Sequence, residues 1–314
     1  MKEINDARPT SIRHLIGQRG VIAQVEVALD AAQQDNKKFD DALLVGPPGL
    51  GKSQLASVIA QEMASDFHDV LGQTITSNAD LNALLLRAKQ RDVVHIDECH
   101  ELAKPFQTAL YLAIDQRKVI VSGRNTVQSI PLQEFTLLLS TTDEYCLLQP
   151  LRDRMKLVLR LDFYSEDDLV QLLRSRIQAL GWSVDGLVLG EIAKRSRGTP
   201  RLALRLLQSC RRYARSKGDT SIDFDHLKMA CQLESLDEVG CGPMEQKYLA
   251  VLVDGACRLN VIASRIGLPT RTITEVIEPY LIRADLVCKD DQGRRELTAL
   301  GREHVQRQIC DPSL

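Results

Sequence analysis

Residues Gly46-Pro-Pro-Gly-Leu-Gly-Lys-Ser53 fit the pattern G-x-x-x-x-G-K-[ST]. In that pattern backbone N–H groups and a helix N-terminus cradle phosphates, Lys52 reaches the β- and γ-phosphates, and the Ser53 hydroxyl takes Mg2+. A second run, Val93-Val-His-Ile-Asp-Glu98, is apolar and ends in two acids, the form of a Walker B motif. Asp97 can hold Mg2+ through its shell and Glu98 can polarise the attacking water, since phosphoryl transfer is mainly positioning plus charge stabilisation. A third run, Phe135 to Leu139, leads into Ser-Thr-Thr-Asp143. A hydroxyl there can position the water or sense the γ-phosphate, with Thr142 the candidate; simple turn formation is the other reading.

Two short arginine motifs follow. Pro150-Leu-Arg-Asp-Arg154 offers Arg152 and Arg154. An arginine from a neighbouring subunit commonly neutralises charge on a transferring phosphoryl group, an effect worth roughly 10³–10⁵ in rate in GTPases; a surface ion pair is the ordinary fate of either side chain. In Arg197-Gly-Thr-Pro-Arg201, Pro200 suits the first turn of a helix and so puts Arg201 at a helix N-terminus. A cation there opposes the helix dipole and wants an external anion, for which a nucleotide phosphate would serve.

The elements that must hold these residues are legible in the same stretches. From Asp40 to Asp143 strand-like apolar runs (DALLVG, VVHID, FTLLLSTT) alternate with helical stretches from Lys52 and around Glu101 to Asp115. Unbroken apolar runs of this length read as strands buried on both faces, the mark of a parallel sheet in a doubly wound α/β domain. Val119 to Val121 and Val127 to Ile130 flank a Ser-Gly-Arg-Asn turn and predict a β-hairpin that projects from the sheet. After Tyr164 the signals are helical: a cap at Ser165, then helices at about Gly186 to Ser196, Pro200 to Lys217 and Asp223 to Glu234. Beyond the linker-like LDEVGCGP, three helices near Met244 to Val253, Leu259 to Ile266 and Thr270 to Ala284 precede a hairpin around KDDQGRREL, the layout of a winged-helix domain. The expected division is 1–163, a P-loop domain; 164–236, a small helical domain; and 237–314, a winged-helix domain.

Composition excludes several classes. A chain of 314 residues exceeds one ordinary domain of about 100–150 residues. With 44% hydrophobic and 26% charged residues it is globular, and no apolar run approaches the roughly 18 residues of a spanning helix, so the expectation is no membrane association and a cytoplasmic address. Eight cysteines are scattered singly without zinc-ligand spacing, which argues against disulfides and metal cages. A net charge of −2 gives no global attraction to nucleic acid, so any DNA contact must come from a local cluster.

Taken in order, GPPGLGKS, HIDECH, FTLLLSTT, PLRDR and RGTPR resemble the AAA+ ATPases and, within them, the RuvB family of Holliday-junction branch-migration motors. The opening ARPTSIRHLIGQ and the late VIEPYLIRADLV extend the resemblance over nearly the whole chain. It implies an AAA+ P-loop domain, a helical lid and a winged helix, with ATP and Mg2+ as cofactors. By resemblance Ala7 and Arg8 lie against the adenine end, with Tyr164 lining the same pocket, and Gly46, Gly49, Gly51, Lys52, Ser53 and Gln54 surround the phosphates. Asp115 falls at a further position of that nucleotide site, Arg154 matches the trans-acting arginine finger, Arg201 matches the sensor-2 arginine, and Lys289 and Arg294 match wing positions that meet DNA phosphates. The implied partners are double-stranded DNA at a four-way junction, copies of the chain in a ring, by family a hexamer, and a RuvA-like junction-binding protein docked through the hairpin at 119–132.

The sequence also departs from the family pattern. The hairpin is a few residues shorter, RDR is followed by Met-Lys rather than an aromatic and a glycine, Cys99 occupies a usually aliphatic position, a glycine-rich insert before the second helix of the winged domain is missing, and Gln292 stands where an arginine is expected. Two readings remain open at this level: a motor that draws duplex DNA through a ring, and a divergent paralogue that uses its ATP state to remodel or load a protein partner.

Overall fold

The computed structural model describes residues 4–122 and 127–310. The chain packs as two units: one runs to Leu172 and includes Thr199–Arg201, and the other comprises Leu173–Gly198 and the chain from Leu202 onward.

In the first unit the order is α1 (Arg19–Gln34), β1 (Ala42–Val45), α2 (Lys52–Glu62), β2 (Phe67–Leu71), α3 (Asn78–Arg87), β3 (Val93–Asp97), α4 (Lys104–Gln116), β4 (Lys118–Ser122), β5 (Val127–Pro131), β6 (Thr136–Thr141), α5 (Gln149–Arg152) and β7 (Leu157–Arg160). Five strands form one parallel sheet in the order β2-β3-β6-β1-β7. Successive strand residues face opposite sides. Accordingly Leu43, Leu137 and Leu139 enter one core with Leu81 and Leu85 of α3 and Leu110 of α4, while Leu44 and Leu138 enter another with Val25 and Leu29 of α1 and Ala56 and Ile59 of α2. Helices therefore cover both faces, as the unbroken apolar runs predict. Truncating one of these buried leucines to alanine costs about 2–5 kcal/mol.

Two differences from the sequence reading have physical reasons. The partly exposed edge strands lack the longer runs of the inner strands: β2 is interrupted by His68 and Asp69, and β7 has only Leu157-Val158-Leu159. The helix expected from Glu101 starts at Lys104, where Pro105 favours a first turn; before it Cys99–Glu101 forms a 3-10 turn. β4 and β5 pair antiparallel as a separate two-stranded ribbon, as expected of the hairpin, and the central residues of its predicted turn lie outside the described residues.

The helix α6 (Glu166–Leu180) is capped by Ser165, whose Oγ accepts the Asp168 N–H at 3.1 Å, as the sequence predicts. The second unit continues with β8 (Ser183–Val184), α7 (Gly186–Arg195), α8 (Pro200–Lys217), β9 (Ser221–Ile222) and α9 (Phe224–Glu234). Then come α10 (Pro243–Val251), α11 (Leu259–Ile266), α12 (Thr270–Thr272), α13 (Glu278–Arg283), β10 (Val287–Lys289), β11 (Arg295–Leu297) and α14 (Ala299–Cys310). The expected single helix from Thr270 is broken by a π turn at Ile273–Ile277, next to Pro279, which has no N–H to continue the ladder.

Polar anchors fix this unit. Arg197 donates from Nε and one terminal nitrogen to the Gly240 carbonyl (2.8 and 2.6 Å), from the other to Glu245 Oε1 (2.7 Å), and lies 4.4 Å over the Tyr280 ring. Gly240 has φ +80°, and a Cβ there would sit 2.2 Å from the Arg195 carbonyl oxygen, so only glycine fits. The buried Glu278 accepts from Tyr248 Oη (2.9 Å) and Arg295 Nε (2.8 Å), which offsets the cost of enclosing its charge. Cys99, Cys146, Cys210, Cys231, Cys241, Cys257 and Cys288 are free thiols. Asp237, Cys241 and His304 bring three potential ligand atoms within 4.8 Å of one another, but Asp237 Oδ2 already bonds His304 Nε2 (3.0 Å) and Gln308 Nε2 (2.7 Å) and its Oδ1 accepts the Cys241 N–H (2.7 Å). No described helix is long and apolar enough to cross a membrane.

Candidate nucleotide site

The site forms where β1 runs into α2. Gly46, Gly49 and Gly51 all have positive φ, and Gly51 directly precedes Lys52 at the start of α2. At Gly49, with φ +81°, a Cβ would lie 2.9 Å from Thr199 Cγ2 and 3.0 Å from Arg201 Cβ. The bare backbone lets the start of α8 close on the loop, and the Arg201 N–H points to the Gly49 carbonyl at 3.4 Å.

Lys52 is buried, and its ammonium donates to the carbonyls of Gly46 (2.7 Å) and Pro47 (3.1 Å). Burial pushes its pKa below the ordinary lysine value and Arg201 adds to the shift, while Glu98 and Asp97 oppose it. Ser53 Oγ donates to Asp97 Oδ2 at 2.6 Å, across 44 residues of sequence. The structure thus joins the last P-loop residue to the end of β3, and this hydroxyl with carboxylate oxygens is a donor set suited to a hard cation such as Mg2+. Glu98, next along the chain, has a left-handed backbone (φ 48°), and its N–H bonds Asp97 Oδ1 at 3.0 Å.

On β6, Thr141 is buried and its carbonyl accepts the Gly46 N–H at 3.2 Å, so the third motif abuts the P-loop; Thr142 follows, exposed at the strand end. Gln54 Nε2 donates to the Pro9 carbonyl at 3.0 Å and ties the segment carrying Ala7 and Arg8 to α2. The Tyr164 hydroxyl is 3.4 Å from the Leu50 carbonyl, and burial pushes its pKa up to about 12. Its ring also lines a cavity of about 390 Å3 with Gln18, Arg19, Asp162, Phe163 and Asp168.

The other candidates have local partners of their own. Arg154 is held by Asp115 through two nitrogens, Nε to Oδ1 at 2.7 Å and a terminal nitrogen to Oδ2. Its remaining terminal nitrogen donates to the Pro150 carbonyl at 2.6 Å, and the guanidinium lies 4.8 Å over the Tyr111 ring. Arg152, the rival, lies 5.5 Å over Tyr145 instead. In the second unit Lys289 Nζ stands 3.5 Å from Glu278 Oε2 and Arg294 Nε 2.6 Å from Asp290 Oδ2. Sequence reasoning gave no role to His100, which contacts both Glu98 and Thr141; its signal was the histidine two residues beyond the acid pair.

A phosphate-binding loop between a buried parallel strand and a helix, joined to an acid pair at the end of β3, two strands along the sheet, and touched by a lid arginine, defines a P-loop ATPase of the AAA+ class. Three family models tile the chain: "Holliday junction DNA helicase RuvB P-loop domain" over residues 7–161, "RuvB AAA lid domain" over 164–237 and "RuvB C-terminal winged helix domain" over 238–306. The chain belongs to the RuvB family. It is 37% identical over 306 residues to the Holliday junction branch migration complex subunit RuvB of Mycobacterium tuberculosis, covering 95% of this chain and 89% of that one. The protein of the same description from Neorickettsia sennetsu is 35% identical over 296 residues, covering 92% and 89%. Among solved structures, the Thermotoga maritima RuvB Holliday junction branch migration motor superposes with a TM-score of 0.81 at 32% identity, covering 96% of this chain and 98% of that one.

Proposed function

We propose that this chain is an ATP-driven motor of Holliday-junction branch migration, serving homologous recombination and DNA repair and hydrolysing ATP at the subunit interfaces of a hexameric ring. The observation that carries the catalytic part is the 2.6 Å hydrogen bond from Ser53 to Asp97, which joins the two halves of a phosphoryl-transfer site next to Lys52 and Glu98. Lys52 holds the β- and γ-phosphates, Gly46, Gly49 and Gly51 admit the phosphate chain to backbone N–H groups, and Arg201 meets it from the lid. Ser53 and Asp97 hold Mg2+, which when bound neutralises charge on the phosphate oxygens. Glu98 orients and polarises the attacking water, with Thr142 at the γ-phosphate. Ala7, Arg8 and Tyr164 enclose the base end, and Gln54 joins the residues around the phosphates.

Arg154 and Asp115 form a patch of their own, and this supports a role for both at the neighbouring subunit's nucleotide. The hairpin carries Ile120 at 58% exposure, an apolar surface suited to docking a RuvA-like junction-binding partner. Lys289 and Arg294 supply the wing's contacts to duplex phosphates.

The test is steady-state ATP hydrolysis with and without a synthetic four-way junction, alongside branch migration of a labelled junction. Stimulation by the junction together with strand exchange supports the motor. Hydrolysis indifferent to DNA, with no branch migration, overturns it in favour of a protein-remodelling ATPase.

A further inference from the structure

His100 occupies the 3-10 turn just after the acid pair, half-buried, between the residue read as water-activating and the end of β6. Its Nδ1 lies 3.1 Å from Thr141 Oγ1 and 3.4 Å from Glu98 Oε2. Nε2 faces Glu101 Oε1 at 3.5 Å. Thr141 Oγ1 also accepts the Asp143 N–H at 3.0 Å, which fixes the backbone on both sides of Thr142. Glu98 Oε2 is enclosed and has no hydrogen-bond partner, an arrangement that disfavours a carboxylate oxygen unless a donor can reach it.

An imidazole nitrogen carries at most one hydrogen, so Nδ1–H serves one of these two acceptors well at a time. In the tautomer with its hydrogen on Nδ1, Thr141 at 3.1 Å accepts it, and at 3.4 Å Glu98 lies just beyond an ordinary bond. A small displacement of the Thr141–Thr142 segment lets the Nδ1–H bond Glu98 Oε2 instead, with the hydrogen remaining on the imidazole. Because Thr142 is the strand-end residue facing the γ-phosphate in our reading of the site, nucleotide state is the natural source of that displacement.

We propose that His100 is a positioning residue for hydrolysis, a single shared donor that couples the end of β6 to the orientation of Glu98. With the γ-phosphate drawing on Thr142, Nδ1–H turns to Glu98 Oε2 and aims the other oxygen at water. With Thr141 holding the donor, Glu98 is left unaimed. The inference rests on Glu98 as the water-activating residue.

Two substitutions separate the nitrogens. An asparagine amide overlays Nδ1 of histidine, whereas a glutamine amide reaches the position of Nε2. His100→Asn keeps kcat within a few-fold of the parent; His100→Gln and His100→Leu lower kcat about 10- to 100-fold while KM for ATP changes little. A residue that merely fills space would instead be replaced best by the bulkier Gln and Leu, and loss of the fold would raise KM or abolish nucleotide binding in all three variants. Glu98→Gln is the control. If it hydrolyses ATP at the parental rate, the reading of Glu98 fails; if it is inactive while His100→Leu keeps the parental kcat, or His100→Asn does no better than His100→Gln, the coupling proposal is overturned and the site reading stands.

Discussion

Asp115 grips the guanidinium of Arg154 with both carboxylate oxygens, and the same guanidinium stacks on Tyr111. Two charge-assisted bonds and a ring face fix a long, flexible side chain in one orientation. The pairing holds the Asp115 carboxyl below the usual carboxylate range and raises the arginine further, so both stay charged throughout the physiological range. An arginine that acts across an interface benefits from being held in place before its target arrives, since ordering it then costs less.

If Arg154 acts in trans as proposed, removing it and loosening it should differ in size. Arg154→Ala is expected to bind ATP normally and lose about 10³-fold or more in hydrolysis by the assembled ring. Asp115→Asn keeps an acceptor for Nε but loses charge, with an expected fall of roughly 10-fold. Mixing Arg154→Ala with Lys52→Ala subunits should restore some turnover, because one interface then combines an intact P-loop with an intact finger. Mixtures that stay inactive while co-assembly is confirmed by size would return Arg154 to an ordinary ion pair.

Binding and chemistry separate at the P-loop and the end of β3. Lys52→Ala should abolish nucleotide binding, since the buried ammonium at the loop is the group that reaches the β- and γ-phosphates. Glu98→Gln should retain ATP and fail to cleave it, a loss of about 10²–10⁴-fold for removal of a general base. Fluorescent-nucleotide titration beside phosphate release distinguishes the two; equal hydrolysis by Glu98→Gln and parent removes Glu98 from the mechanism.

Stability of the second unit should depend on pH through His304. The hydrogen bond to Asp237 raises its pKa above the ordinary value, against the opposing effect of burial, and Glu238 at 3.6 Å adds to the rise. A folded-state pKa above the unfolded value of about 6.5 means the stabilisation is fully present below roughly pH 6.5 and fades as pH rises through the raised value. The melting-temperature gap between parent and His304→Gln, followed by fluorescence of the single tryptophan, Trp182, should be widest near roughly pH 6 and narrow toward about pH 8.5. A gap that widens with pH would reverse the sign and remove the charged pair as its source.

What the sequence revealed follows from what each residue does alone. The P-loop and the β3 acids are legible because phosphate and cation chemistry dictate residue type at fixed spacing, and β1, β3 and β6 because burial on both faces leaves unbroken apolar runs. The edges β2 and β7, exposed on part of their surface, have only interrupted or shorter runs. The Asp115–Arg154 pair spans 39 residues, and no local rule links them. His100 was visible as a residue, but its place between Glu98 and Thr141 depends on the packing of β3 beside β6. Pairing of Lys289 and Arg294 with acids was equally hidden, although it bears on how they meet DNA.

In the wing, phosphate must compete with those acids. Lys289 Nζ lies 3.5 Å from the buried Glu278, and Arg294 is bonded by Asp290, whose Oδ1 also accepts the N–H groups of Gln292 (2.9 Å) and Arg294 (2.8 Å) to shape the turn. Both cations are nearly half exposed and so within reach of a backbone. Lys289→Ala and Arg294→Ala should each weaken duplex binding about uniformly across sequences and reduce the salt slope by about one. Asp290→Asn should act in the opposite direction. The amide oxygen still accepts at the turn, while the negative charge beside Arg294 is gone, so affinity should rise by a few-fold at low salt and the gain should shrink as salt screens the site. Binding isotherms at two salt concentrations decide it. If Asp290→Asn binds no better than the parent and both cation variants keep parental affinity, the wing is not the surface that grips DNA.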